Sequence, residues 1–175
     1  MPGRPVIPVR TTSSARTSDF AQPLMPRTFN SIAELGAHVG EELASSDWLT
    51  ISQQRINQFA DATGDHQWIH IDIERATKEL GGPIAHGYLV LSLIPFLARN
   101  IVTYSGVSRG INYGSNKVRF VSTVPVGSRI RMRIKMLSCE ARGGGFMVTN
   151  ECTIEVENQD RPACVAETIG LIYPA

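Results

Sequence analysis

Cysteine is scarce: 175 residues hold only Cys139, Cys152 and Cys164, with no Cys-x-x-Cys pair among them. An odd, widely spaced set supports neither a disulfide framework nor a zinc knuckle. Each lies in an apolar stretch, where a free thiol packs as a small hydrophobe, and the compartment expected is reducing and cytoplasmic. Charge of one sign is also missing, since 17 Lys and Arg stand against 16 Asp and Glu for a net charge of +1. Little is left to drive binding to a phosphate backbone, so nucleic acid is not an expected partner. Nor is a membrane. The most apolar run, Ile84 to Ala98, is interrupted by His86 and falls short of the ~20 residues that cross a bilayer.

With 42% hydrophobic and 19% charged residues, the composition is that of one folded globular domain. Residues 1–27 stand apart, with five of the ten prolines, four arginines, six Ser or Thr and one acid, Asp19. They have neither a continuous apolar h-region nor the helix-forming run of a transit peptide, so a flexible arm is expected ahead of a domain over 28–175.

Ser31 can cap a short helix from Ile32 to His38, and Trp48 to Ile51 reads as a strand. Thr50 or Ser52 caps the next helix, whose Ile56, Phe59 and Ala60 form a buried stripe and which Gly64 ends. Asp65 to Gly82 is polar, with a short helix near Glu74 to Glu79. From about Ala85 to Val102 the chain is apolar almost all round, which predicts an enclosed helix, kinked where Pro95 removes a hydrogen bond to the Leu91 carbonyl.

Strands follow. Ile130, Met132, Ile134 and Met136 alternate with Arg129, Arg131, Arg133 and Lys135, and a second alternating run spans Phe146 to Glu157. An odd-length loop centred on Gly143 would put both apolar faces on one side and pair Lys135 with Glu151, Arg131 with Glu155 and Arg129 with Glu157. The basic row then reads as cross-strand pairing rather than a nucleic-acid patch. With strands over Ile111 to Val121 and Ala163 to Tyr173, the fold class is α+β, an antiparallel sheet wrapped around a long central apolar helix.

His66, His70 and His86 gather near Asp61, Asp65 and Asp72, but no His-Glu-x-x-His or His-x-His spacing or calcium loop is present, so no metal is expected. Gly-x-Ser-x-Gly is absent, and Gly143 to Gly145 is a hairpin turn rather than a phosphate loop. What remains is a carboxylate and an imidazole sharing one water: Asp65 as general base, with His70, five residues on, orienting the water and returning a proton. Gly87 opens the apolar helix, where free N–H groups and close backbone approach suit an anionic oxygen. Base, acid and oxyanion site together suit addition of water to an α,β-unsaturated thioester. The alternative is that Asp65 caps a turn and His70 packs in a satisfied network.

The run Phe59-Ala60-Asp61-Ala62-Thr63-Gly64-Asp65-His66-Gln67-Trp68-Ile69-His70, with Glu74-Arg75-Ala76, Ile84-Ala85-His86-Gly87-Tyr88-Leu89 and Leu91-Ser92-Leu93, resembles the MaoC-like dehydratases of the R-specific enoyl-CoA hydratase (hydratase 2) group. Asn112-Tyr113-Gly114 and Asn116-Lys117-Val118-Arg119-Phe120 add a second block, and the resemblance extends over Phe29 to Tyr173. It implies the hot-dog fold, a homodimer, and a place in fatty-acid metabolism. It also implies Asp65 and His70 as the catalytic pair and the Gly87 backbone as oxyanion donor. His86, Ser92, Asn112, Lys117 and Arg119 are the substrate-binding candidates. A supporting serine found in some relatives near position 95 is here Pro95. The implied substrate is an acyl-CoA or acyl-carrier thioester, with no cofactor beyond the coenzyme A that the substrate brings. A hot-dog thioesterase and a non-catalytic acyl-thioester binding subunit are the rival readings.

Overall fold

Local signals set the first half of the chain. The computed structural model describes residues 24–99 and 101–175. The arm expected over 1–27 lies mainly outside them, and its last residue, Arg27, already belongs to strand β1 (Arg27–Phe29). Ser31 caps α1 (Ile32–Gly36) by accepting the Glu34 N–H, and the chain then forms β2 (Glu42–Ser45) and β3 (Leu49–Thr50). Ser52, not Thr50, caps α2 (Gln53–Thr63) through the Arg55 N–H, and Gly64 ends it in the left-handed region at φ 76°. Two short helices follow, α3 (Trp68–Ile71) and α4 (Ile73–Leu80), the second capped by Asp72.

The apolar run differs from the expected single helix. It forms α5 (Gly87–Ser92) and α6 (Ile94–Ala98), joined at Leu93, with Pro95 at the start of α6. Proline suits a first helical turn because its missing N–H would have no acceptor there, so the ring divides the helix instead of bending it. Leu89, Val90, Leu93, Ile94 and Leu97 are buried against the sheet, whereas Tyr88, Ser92, Pro95 and Phe96 are exposed. The helix is enclosed on one side only within a single chain.

After β4 (Val102–Tyr104), which pairs in parallel with β1, four long strands build the sheet: β5 (Val107–Phe120), β6 (Arg129–Arg142), β7 (Gly145–Val156) and β8 (Cys164–Pro174). Its order is β2-β6-β7-β8-β5, with β3 also on β6, and every pairing in it is antiparallel. The sheet curls around α5 and α6 in the hot-dog arrangement, and the core lies between them.

The hairpin β6–β7 reaches the expected charge pairing by an unexpected route. Its turn has two residues, Gly143 and Gly144, at φ 55° and 79°, between the partners Arg142 and Gly145. Positive φ at both positions is what a type I′ turn requires. A two-residue loop alone would put the apolar rows out of step, but Leu137 is an extra residue on β6 between the pairs Met136–Asn150 and Ser138–Thr149. This bulge moves the inward row from even numbers up to Met136 to odd numbers from Cys139. Below it, Arg131 faces Glu155 and Lys135 faces Glu151. Arg131 Nε lies 2.7 Å from Glu155, while Arg129 is held by Glu157 and Arg133 by Glu42.

Because one residue of slip turns every side chain to the other face, deleting Leu137 should abolish the cooperative thermal transition, whereas Leu137→Ala, at a half-buried position, should leave it within a few degrees of the parent. Equal melting of the two variants would show that the bulge does not set the register.

Candidate active site

The left-handed turn at Gly64 ends α2 and starts the segment that carries Asp65, which is half-buried. After Gln67, residues Trp68–Ile71 turn back as α3, which places His70 against the segment before α5. There the Ile84 N–H donates to the Ile69 carbonyl at 3.0 Å, and His70 Nδ1–H donates to the Ile84 carbonyl at 2.7 Å. Gln53 Nε2, from the first turn of α2, donates to the His70 carbonyl at 2.7 Å. His70 is therefore fixed from both backbone and ring. Committing Nδ1 as the donor leaves Nε2 as a bare acceptor.

His86 completes the cluster. Its Nε2–H donates to the Asp65 backbone carbonyl at 2.9 Å, and its ring stacks on His70 with centroids 3.7 Å apart and planes inclined by 28°. Phe59 packs on it at 5.1 Å. At 2% exposure His86 presents no open surface, so this expected substrate contact instead fixes the backbone that carries Asp65 and supports the ring of His70. Its Nδ1 is buried without a hydrogen-bond partner.

Asp65, His70 and His86 each offer an atom within 4.8 Å of the others, which is also the composition of a metal site. The two rings fit one ion poorly. Stacked imidazoles lie in nearly parallel planes and cannot both aim an in-plane lone pair at a point about 2 Å away without swinging apart. A carboxylate oxygen and an imidazole nitrogen within 4.8 Å of one another can share one bridging water.

Burial lowers the pKa of His70 from its ordinary value of 6.5, as does the neighbouring His86, against the opposing influence of the Ile84 hydrogen bond and Asp65. The folded protein thus favours the neutral ring. Between the lowered pKa and 6.5 the unfolded chain binds more protons, so this contribution to stability weakens as pH falls through that window.

Gly87 follows His86 as the first residue of α5, where its N–H has no intrahelical acceptor. The ring of Phe120 lies directly over it: a Cβ on Gly87 would come within 2.9 Å of that ring. Tyr88 meets the same ring edge-on at 5.5 Å.

Beside α5 and α6 a cavity of about 680 Å³ opens between the helices and the sheet. Leu35, Leu91, Ile94, Ala98, Met136 and Val148 supply much of its apolar wall, and the expected substrate contacts Ser92 and Asn112 both line it. Its volume is within the ~300–1,000 Å³ of small-molecule sites. Asp65, His70 and Gly87 are outside its lining, but Leu91 follows Gly87 by four residues, about 6 Å along a helix. Lys117 and Arg119 are also outside its lining. Lys117 Nζ pairs with Glu167 at 2.7 Å across β5 and β8, and Arg119 donates to the Val118 carbonyl at 2.8 Å. His66 turns away to Asp61, at 3.1 Å.

The sequence reading missed Phe120, Gln53 and Ile84. Nothing in the local pattern marks an aromatic that will cover a glycine 33 positions earlier, or a carbonyl that will hold a histidine.

A family model described as MaoC like domain matches residues 34–157. A 3-hydroxyacyl-thioester dehydratase Z of Mycobacterium tuberculosis is 52% identical over 145 residues, 82% of this chain and 96% of that protein. Nodulation protein N of Rhizobium leguminosarum bv. viciae is 44% identical over 151 residues, 81% of this chain and 91% of that one. Among solved structures, an R-hydratase of Pseudomonas aeruginosa superposes with a TM-score of 0.64 at 20% identity, covering 83% of this chain and 86% of that chain. At that identity the likeness concerns the fold.

Proposed function

The chain belongs to the MaoC-like dehydratase family and is a hydro-lyase, and from that premise we propose that it adds water reversibly to trans-2-enoyl thioesters to give (3R)-3-hydroxyacyl thioesters. The observation that carries this reading is the apposition of the Asp65 carboxylate and buried His70, whose Nδ1 is committed to Ile84. A water between them donates one hydrogen to each and turns its oxygen towards C3. Asp65 takes a proton as the C3–O bond forms, negative charge moves to the thioester oxygen beside the Gly87 N–H, and the pair returns one proton to C2. Coenzyme A or an acyl carrier arrives with the substrate, and no other cofactor takes part.

The acyl chain follows α5 from Gly87 into the cavity. Membership of the family and its 3-hydroxyacyl-thioester relatives support a place in fatty-acid metabolism. Three free thiols suit a cytoplasmic enzyme, and no helix among the described residues is long and apolar enough to cross a membrane.

Two copies form the working unit. Strand β5 is an open edge of the sheet and exposes Ile111 and Tyr113, while α5 and α6 expose Tyr88 and Phe96. Equilibrium sedimentation should give twice the chain mass, and Ile111→Asp should shift it to the monomer; a monomeric parent protein would remove this part of the proposal.

Turnover decides the function. Loss of the conjugated thioester absorbance with trans-2-butenoyl-CoA or a longer trans-2-enoyl-CoA, giving the (3R) alcohol, is the expected result. Release of free thiol from saturated acyl-CoA would instead make the protein a thioesterase, and binding without turnover would make it an acyl-thioester binding subunit. Because the bridging water needs a neutral His70, kcat/KM should hold as pH falls to 6.5 and decline only below it. An acid limb centred above 6.5 would mean that His70 does not serve as this acceptor.

A further inference from the structure

The inward row of β7 is apolar at Val148, Cys152, Ile154 and Val156 but carries Asn150 in the same register. Asn150 lies opposite Thr168 of β8, and Thr168 lies opposite Ser115 of β5. Three polar side chains therefore form a transverse row across three adjacent strands, and all three line the 680 Å³ cavity. The row has little internal satisfaction. The Asn150 Oδ1 is buried with no hydrogen-bond partner, and the Thr168 hydroxyl reaches only the Asn150 carbonyl at 3.5 Å and Cys152 Sγ at 3.6 Å. An orphaned buried amide oxygen costs stability, and apolar residues at these positions would avoid that cost.

We propose that this row is a recognition strip for a hydroxyl group carried along the acyl chain, so that the preferred substrates are thioesters of hydroxylated fatty acids rather than plain ones. A hydroxyl both donates and accepts, and it can satisfy the Asn150 amide whichever way the amide is turned, with Thr168 as second partner. The facing wall, Leu91, Ile94 and Ala98, holds the methylenes on either side. A polar strip opposite an apolar wall discriminates more strongly than apolar walls alone, because a plain chain leaves the strip's groups unpaired. The inference rests on the reading of the cavity as the acyl site.

Equilibrium binding separates the two. Saturated dodecanoyl-CoA and a series of monohydroxylated dodecanoyl-CoAs, the hydroxyl moved along the chain, are titrated into the parent protein and Asn150→Leu by calorimetry. At one hydroxyl position the parent should bind the hydroxylated chain about 10-fold tighter than the plain one. N150L, which melts no lower than the parent because it removes an orphaned oxygen, should reverse that order. A parent protein that binds the plain chain tighter than every hydroxylated one, or an N150L variant with an unchanged ratio, overturns the proposal and leaves the acyl cavity in place. Absence of binding by all the dodecanoyl-CoAs, alongside turnover of trans-2-butenoyl-CoA, overturns the acyl reading of the cavity and the proposal with it.

Discussion

Asp65→Asn should lower kcat/KM for hydration of trans-2-enoyl-CoA by about 10²–10⁴-fold, the range that a positioned general base contributes. Asn keeps the shape of the side chain and can still hold a water, but its amide cannot take a proton near neutral pH. The backbone contact that orders this turn, His86 Nε2–H to the Asp65 carbonyl at 2.9 Å, does not involve the carboxylate and persists in the variant. Melting temperature and sedimentation should therefore match the parent while turnover collapses, a separation that a purely structural Asp65 would not give. Turnover near that of the parent would remove Asp65 from the chemistry and leave it as a turn residue at the end of α2.

Much of this arrangement is written in local signals. Ser31, Ser52 and Gly64 act within one helical turn, and the structure chooses Ser52 over Thr50, the two caps the residues allow for α2. Alternation in β6 and β7 shows which faces are buried, and complementary charges on the outer rows show how they pair. What local patterns hide are effects that depend on distant partners. The two-residue turn at Gly143–Gly144 and the bulge at Leu137 cancel, so the charge pairing alone cannot reveal either. Strands β1 and β4 are three residues each, too short to show an alternation, and they pair across a long stretch of sequence, Arg27 with Val102.

The site divides in the same way. Five residues of spacing make it possible for Asp65 and His70 to meet, but His86 joins them only through the fold. A histidine next to the oxyanion candidate is expected at the substrate, whereas here it stacks on His70 and is 2% exposed. Lys117 and Arg119 are substrate-binding candidates in a linear reading, and only the register of β5 against β8 shows Lys117 beside Glu167. Asn150 is the reverse case, a break in an otherwise apolar alternation that was visible without a structure and acquires a meaning only when the cavity beneath it is seen.

Gly87→Ala carries the second large effect. The substitution keeps the backbone N–H and adds one methyl, which in the parent geometry would lie 2.9 Å from Cγ and Cδ2 of Phe120. The ring of Phe120 also meets Tyr88 at 5.5 Å, so a shift of Phe120 disturbs that contact as well. For stability the change is mixed: a first helical residue gains by losing glycine's flexibility, roughly 0.5–1 kcal/mol at a helix interior, while the clash removes a comparable amount. For catalysis both consequences act in one direction. Moving the N–H by an ångström misaligns the donor, and the methyl occupies space that a thioester oxygen needs to approach it, so kcat/KM should fall about 10²-fold. Combining Gly87→Ala with Phe120→Leu distinguishes these causes. The double variant should regain thermal stability, because the ring is gone, but not rate, because the methyl still screens the N–H. Recovery of both would make Phe120 displacement the whole effect, and recovery of neither would place the fault in the α5 backbone. Rate unchanged in the single variant would show that the Gly87 N–H is not the donor on which the enolate depends.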